Sequence, residues 1–547
     1  MIYYIISIGY LYIESWCLIM LKKIDKAKVV NISKVVVTIL LLIQPIFDVI
    51  RASSIHDIQI FGFSLLEIVN IILVLVLGCL SILCGNGKKR FFRYFIFALI
   101  FFIYFALHCY NMTLFDESIY PNHTLNFAKE FYYLYKTFIN PLILMMSLYY
   151  LNVDKNYLLK IIRIFSLMIS VPIILGDIFG FGYAAYGENG ARCLKSIFDW
   201  FGFDNKYSLS FYELTCMGPY FSANQLSSIT FMILPILFYS AYEEKKLINY
   251  IELCSMILCM YMIGTKVSTY GVIAVFIMFF ALYIFFLLYN RYKKNGIKLN
   301  NVKKICIIMI ASLILFNFCP RRYEMKFDNN DISSVKRIEN NLKANEEDSA
   351  VFAEKWNSIK KVNCYEMSND EEDDFLSFFD NYSDYMGVSD FIINSYGANN
   401  NPEFWCNYLQ TSSDNDYRKL KTSILREIYI DNNNSLDKYF GLGYNLNYIY
   451  TESDYSYQFY SYGIVGCLLF IGGYFAVICY SAYMMLKNKK ELFNFRNLLF
   501  LSSPSLALFT AAFSGHVIER TMPLLTLSIL CSLILLVVRE SIRDVND

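Results

Sequence analysis

Two carboxylates, Glu452 and Asp454, stand two residues apart where a long polar segment gives way to an apolar run. A carboxylate held just outside a membrane face can act as general base toward a hydroxyl. Asp454 reads equally as a group that orients a partner, and both read as a polar rim closing a loop. Arg426 and Asp437 lie just upstream. Cations recur elsewhere at the ends of apolar runs. Lys266 is the only charge in GTKVSTYG (Gly264–Gly271), beside Thr265, Ser268 and a helix start, which suits a phosphate. It reads also as a snorkelling surface lysine. SGHVIERT (Ser514–Thr521) groups His516, Glu519 and Arg520; residues 516 and 520 share a face if the turn is helical. Arg520 there is suited to clamp a pyrophosphate or to close a loop ion pair. GPYFSANQLSSI (Gly218–Ile229) sets the amides Asn224 and Gln225 at the start of a span, as donors to a sugar or phosphate. In the plainer reading Ser222 is a cap and Asn224 packs between helices. Arg51, Arg192 and Lys195 add further cations.

Cations plus carboxylates, dispersed along one face, suit an anionic lipid-linked substrate. No P-loop, GxSxG or HExxH is present, and no Asp-x-Asp pair lies at a membrane boundary. No CxxC or Cys/His cluster points to a metal, and no cofactor is expected.

The elements that must hold these residues are membrane helices. Hydrophobic residues make up 56% of the chain and charged residues 17%, with mean hydropathy +0.40. The apolar residues come in blocks of the length that crosses a hydrocarbon core of about 30 Å. Twelve such blocks are read at 32–50, 62–84, 94–110, 131–151, 159–180, 221–242, 247–264, 269–290, 305–319, 457–486, 494–513 and 521–539. The expected class is therefore all-α and polytopic, with about 12 transmembrane helices. Basic residues fall in alternate connections, which puts both ends of the twelve-helix unit in the cytoplasm. The net charge of +1 carries no information on partners; nucleic acid is not expected among them.

Residues 1–30 form an N-terminal segment, of which Met1–Leu21 reads as an extra helix, an interfacial helix or an upstream start extension rather than a cleaved signal. Residues 31–319 hold nine spans, 320–455 one large extracytoplasmic loop, and 456–547 three spans and a cytoplasmic tail. The loop carries 25 Asp and Glu against 14 Lys and Arg. Its recurring aromatic residues and the pattern at Tyr417–Tyr429 favour a partly folded cap over a solvated tether. Most of the 15 Cys sit in apolar runs as small buried hydrophobes. Pairing of Cys193 with Cys216, or of Cys364 with Cys406, is open.

At GPYFSANQLSSI, GTKVSTYG, FGLGYN (Phe440–Asn445) and ESDYSYQFYSYGIVG (Glu452–Gly466), in that order, the chain resembles the O-antigen polymerase and O-antigen ligase superfamily. The resemblance is specifically to the ligase-like membrane proteins of Gram-positive bacteria, and it covers most of the chain. It implies a fold similar to the C-class membrane glycosyltransferases. It implies an inverting, metal-independent transfer of a glycan from an undecaprenyl pyrophosphate carrier to a hydroxyl of a glycan, lipid or protein acceptor. That reaction runs at the outer face of the bacterial cytoplasmic membrane. On this reading Lys266 and Arg520 contact the pyrophosphate, with His516, Asn224, Arg192 and Arg426 as further substrate contacts, and Glu452 or Asp454 is the base. Many ligases carry a His-Asn pair where this chain has Glu452, and more often Arg where it has Lys266. The competing reading is a lipid-linked oligosaccharide flippase, whose cations would line a cavity within the spans.

Overall fold

The computed structural model describes residues 26–53, 59–60, 63–84, 86–120, 125–185, 191–193, 195–201, 214–292, 302–322, 346–383, 388, 390–411, 417–444, 449, 451, 453–489, 491–515 and 517–546. A backbone in lipid must satisfy its own polar groups, so each apolar run coils. In chain order these helices are α1 (Lys26–Ala52), α2 (Leu65–Leu83), α3 (Gly87–Met112), α4 (Phe127–Leu134), α5 (Asn140–Leu151), α6 (Lys155–Ile178), α7 (Ala223–Glu243), α8 (Leu247–Ile263), α9 (Lys266–Tyr292) and α10 (Lys303–Phe316). A π-turn, Tyr135–Ile139, joins α4 to α5 without a break. Among the described residues six helices lie in the polar segment: α11 (Glu346–Ile359), α12 (Asn369–Tyr382), α13 (Asp390–Tyr396), α14 (Pro402–Thr411), α15 (Tyr417–Asp431) and α16 (Asp437–Phe440). The chain then returns through α17 (Asp454–Lys487), α18 (Phe495–Ala511) and α19 (Thr521–Asn546). The strands among the described residues are a two-residue hairpin, Gln59–Ile60 against Phe63–Ser64.

Each of the twelve apolar segments carries a helix. Eight of them, α1, α2, α3, α6, α7, α9, α17 and α19, are long and apolar enough to cross a membrane. The protein is an all-α polytopic membrane protein. Its outward faces agree: Ile277 on α9 and Phe95 and Phe102 on α3 are at least half exposed, as lipid-facing side chains must be.

The chain forms two compact units. The first comprises Met1–Phe102, Tyr133–Glu324 and Leu468–Asp547. At its centre α7 is buried throughout its apolar span and α19 nearly so. Small hydroxyl residues make this possible, because they let neighbouring backbones approach and return their own hydrogen bonds to the helix. Ser227, Ser228 and Ser240 each donate to the carbonyl four residues back, at 2.7, 2.9 and 3.0 Å. Helices α8, α9, α18 and α19 pack around α7.

The second unit comprises Ile103–Tyr132 and Met325–Cys467. Its core explains the recurring aromatic residues: Phe375, Phe378 and Phe379 of α12 meet Trp405 of α14 and Ile424 and Ile428 of α15. Phe115 and Tyr120, from the loop after α3, join the same core, as do Leu442 and Ile449. The unit therefore draws in residues on both sides of 320–455. Cys364 and Cys406 form a disulfide across it. The acidic run Asp370–Asp374 opens α12, where Ser368 and Glu371 form a capping box and carboxylates favour the helix dipole.

Candidate functional site

In the first unit, three of the sequence motifs converge on the first turns of α7. The Phe221 N–H donates to Asp48 of α1 at 3.0 Å, and Gln225 donates to the other Asp48 oxygen at 3.1 Å. Gln225 also reaches Met522 of α19, at 3.8 Å. One turn further on, the hydroxyls of Ser227 and Thr265 share a hydrogen bond of 2.6 Å. That contact ties the GTKVSTYG turn to α7. Thr265 caps α9, accepting from the Ser268 N–H at 3.1 Å, and Gly264 makes the turn with φ +70°.

Charge gathers around Asp48 of α1. Arg51 and Arg520 both act electrostatically on Asp48. Arg51 also lies 3.5 Å from Glu67 of α2, and Lys136 pairs with the same carboxylate. Arg520 stands 3.7 Å from Glu519 and is 40% exposed. Lys266 is exposed at the first position of α9. It makes no ion pair among the described residues. A cation at a helix N-terminus opposes the dipole, at a cost of about 0.3–1 kcal/mol; a bound anion would reverse that sign.

The amides lie where the sequence places them: Asn224 is half-buried on the first turn of α7. Arg192 is exposed, in a backbone bridge with Tyr183 of the same unit. His516 and Glu452 lie outside the described residues.

Lys136, Asp48 and Glu67 were not singled out from the sequence, although a general signal was present. Each is an ionisable residue inside an apolar run, and such residues mark functional or paired sites by default. Lys136 carries a second mark, since it lies in a π-turn within a continuous helix, a feature that often accompanies function.

In the second unit the re-entry seam is built on a broken helix. Gly463 sits inside α17 with φ 66°, ψ −175°. The carbonyls around the break accept from outside the helix. Leu442 and Gly443 donate their N–H groups to Tyr460 and Ser461 at 2.8 and 2.9 Å. Tyr104 donates its hydroxyl to the Tyr462 carbonyl at 2.9 Å. Gly441 and Gly443, both at positive φ, let the turn Phe440–Tyr444 lie flat against α17. Asn111 holds the turn from the other side, donating to the Gly441 carbonyl and to Asp437 at 2.8 Å each. Asp437 also accepts from Asn432, at 2.6 Å. Burial pushes the Asp437 carboxyl above the usual carboxylate range, against the pull of these amides.

Asp454 is the first residue of α17 and is fully buried. Arg426 is exposed on α15 and acts on Glu427 and Tyr460. The FGLGY turn and the SYG break thus meet, as two of the quoted motifs. His108 and Glu130, both from the 103–132 segment, were not read as functional; they bind this turn directly.

A sequence model of the O-antigen ligase like membrane proteins matches residues 30–541. The chain belongs to that family. Comparison with curated proteins and with solved structures found no match. Family membership makes this a membrane protein of polysaccharide ligation or polymerisation, and points to a glycan-transferring enzyme.

Proposed function

We propose that the protein transfers a glycan from an undecaprenyl pyrophosphate carrier to an acceptor hydroxyl at the outer face of the bacterial cytoplasmic membrane. The observation that carries this reading is the convergence on the first turns of α7. Asn224 and Gln225, the Lys266 turn and the Arg520 turn come from distant parts of the chain and meet there through Asp48, Ser227 and Thr265. The first turn of a buried helix offers N–H donors to an anion. Lys266 supplies a point charge and Arg520 a planar fork for phosphate oxygens. Both would oppose the charge that develops as pyrophosphate leaves. Arg192 and Arg426 are further contacts to the donor. Glu452 or Asp454 takes the acceptor proton, so that the new glycosidic bond forms as the bond to pyrophosphate breaks, with inversion. The leaving pyrophosphate is already ionised, and no strong acid is needed.

The test uses purified protein in nanodiscs with the host's lipid-pyrophosphate-linked glycan. Release of undecaprenyl pyrophosphate and lengthening of the glycan are followed for wild type, Glu452→Gln, Lys266→Ala and Arg520→Ala. Turnover without nucleotide sugar, lost in the variants, supports the transfer. A product ladder means polymerase, and one product on a separate acceptor means ligase. Passage of intact lipid-linked glycan across the bilayer, with no bond made, replaces the transferase with a flippase.

A further inference from the structure

His108 and Glu130 form a fully buried pair in the second unit, with no exposure of either side chain. His108 Nδ1 lies 2.6 Å from the Phe440 carbonyl. A carbonyl oxygen only accepts, so Nδ1 carries a hydrogen. Nε2 lies 2.9 Å from Glu130 Oε1. Either Nε2–H donates to a carboxylate, or a carboxylic acid donates to a bare Nε2; one proton is held between them in both cases. Glu130 spends its remaining capacity on the same turn. Both its oxygens accept from the Tyr444 N–H, at 3.0 and 2.9 Å. The pair therefore grips the turn at both ends, Phe440 and Tyr444.

The grip reaches the seam. Between those ends, Leu442 and Gly443 hold the carbonyls of Tyr460 and Ser461, on the segment of α17 that begins at Asp454. The imidazole is walled by the rings of Tyr104 and Tyr462, at 5.7 and 5.4 Å between centroids. The titratable groups around it are thus Glu130, Tyr104 and Tyr462, with Asp437 behind Asn111 and the thiols of Cys109 and Cys467 near Tyr104. An imidazole and a carboxylate are a costly way to fill buried space that apolar side chains fill readily. What they add is a directional hold on two backbone groups.

We propose that His108 and Glu130 are positioning residues of the transfer reaction: the proton they share fixes the Phe440–Tyr444 turn and, through it, the start of α17 that carries Asp454. This rests on the transferase reading. Both side chains are fully buried, so the pair acts through the seam.

The experiment takes the full-length protein in nanodiscs and compares wild type with Glu130→Gln, His108→Gln and the double variant. Turnover and hydrogen exchange of the 442–444 amides are read on the same samples. Glu130→Gln is expected to lower kcat by about 100-fold, the scale of a small misplacement of reacting groups, with donor KM unchanged. It should also move the pH profile of kcat and speed exchange at 442–444. The double variant should fall no further than the worse single one, since the two residues act as a unit. Folding is checked by chromatography and by exchange in the 346–431 helices; if Glu130→Gln does not fold, His108→Gln is read in the same way. Wild-type kcat, pH profile and exchange in a folded variant overturn the proposal. If wild-type protein makes no glycosidic bond, the transferase reading fails. Fast exchange at 442–444 in the variants would then retain the grip on the turn and remove its catalytic purpose.

Discussion

Gly463→Ala is the substitution the seam is least able to absorb. At φ 66°, ψ −175° the backbone lies in a region that is nearly closed to side chains, at a cost of about 1–3 kcal/mol. Space is the larger obstacle. A Cβ at Gly463 would stand 2.3 Å from the Tyr439 carbonyl carbon, 2.4 Å from its oxygen and 2.5 Å from the Phe440 nitrogen. These are backbone atoms, so no rotamer change relieves the clash. Gly441 faces the same interface, with a Cβ position 2.3 Å from the Tyr462 nitrogen, and the turn has no slack on that side. It must lift off. Lifting forfeits the hydrogen bonds from Leu442 and Gly443, about 1 kcal/mol each. The expected total is about 3–5 kcal/mol, spent locally and not on the spans. Hydrogen exchange at the 442 and 443 amides should then accelerate by at least about 100-fold. Exchange in α7 and α19 should stay as it is, and glycan transfer should fall steeply. Gly472→Ala, nine residues along the same helix with nothing within 4 Å of the added carbon, is the control. It should change stability by no more than about 1 kcal/mol. If Gly463→Ala keeps wild-type exchange at 442–443 and wild-type turnover, the broken-helix account of the seam is wrong.

Lys266→Ala is expected to weaken donor use by roughly 10- to 100-fold, the scale of one hydrogen bond to a charged group, read as the donor KM of transfer at low salt. Removing the Cys364–Cys406 disulfide by Cys364→Ser opens a link with a sequence separation of 42; loop entropy puts the loss at about 4 kcal/mol, read as faster exchange across α12, α14 and α15. Cys193 and Cys216 carry their sulfurs 3.5 Å apart, and the hydrogen bond with Cys216 holds Cys193 below the ordinary thiol range. Mild oxidation with diamide should therefore join them, giving a cross-linked 193–216 peptide by mass spectrometry that Cys193→Ser lacks. Burial raises the Asp437 carboxyl, so its folded form binds protons more tightly than its unfolded form. The stability it contributes is present at acid pH and lost as pH rises from the ordinary carboxylate range through the folded value. Asp437→Asn should flatten that slope in exchange at 437–443 measured against pH.

The twelve helices were legible because hydrophobic length is a strong and local signal. Each apolar block returned as a helix, from α1 to α19. The polar loop was less so. Trp405, Phe375 and Ile424 announce a core only when their partners are known, and Phe115 and Tyr120 join it from about three hundred residues away in sequence. Lys266 and Arg520 were found as charges at the ends of apolar runs. His108 and Glu130 were not, for two physical reasons. His108 sits within an apolar run, where a single imidazole is read as a satisfied side chain, and its role depends on a backbone carbonyl, Phe440, that no residue pattern reveals. Gly463 shows in the sequence only as a glycine near the start of an apolar run. That it breaks the helix follows from the turn packed against it, which is long-range information.

The charges around α7 show why Lys266 should matter more than its neighbours. Among the described residues Arg51, Lys136 and Arg520 lie beside the carboxyl groups of Asp48, Glu67 and Glu519, whereas Lys266 pairs with none. Arg51 and Lys136 share Glu67, while Arg520 has Glu519 beside it and Asp48 near, so these three are partly neutralised before any ligand arrives. Such pairing lowers the cost of keeping cations at an apolar boundary and fixes their directions. It also means that each gives an incoming phosphate less net attraction. Lys266 is exposed, has no carboxylate partner among the described residues, and stands where the α9 dipole already attracts anions. On the transferase reading it supplies most of the salt-dependent attraction for the donor. Exposed charges are screened beyond about 10 Å at 0.1 M salt, so raising ionic strength should increase donor KM in wild type. That rise should be largely abolished in Lys266→Ala and preserved in Lys136→Ala. An equal salt response in the two variants would show that the charge is shared by the cluster rather than held at the α9 terminus.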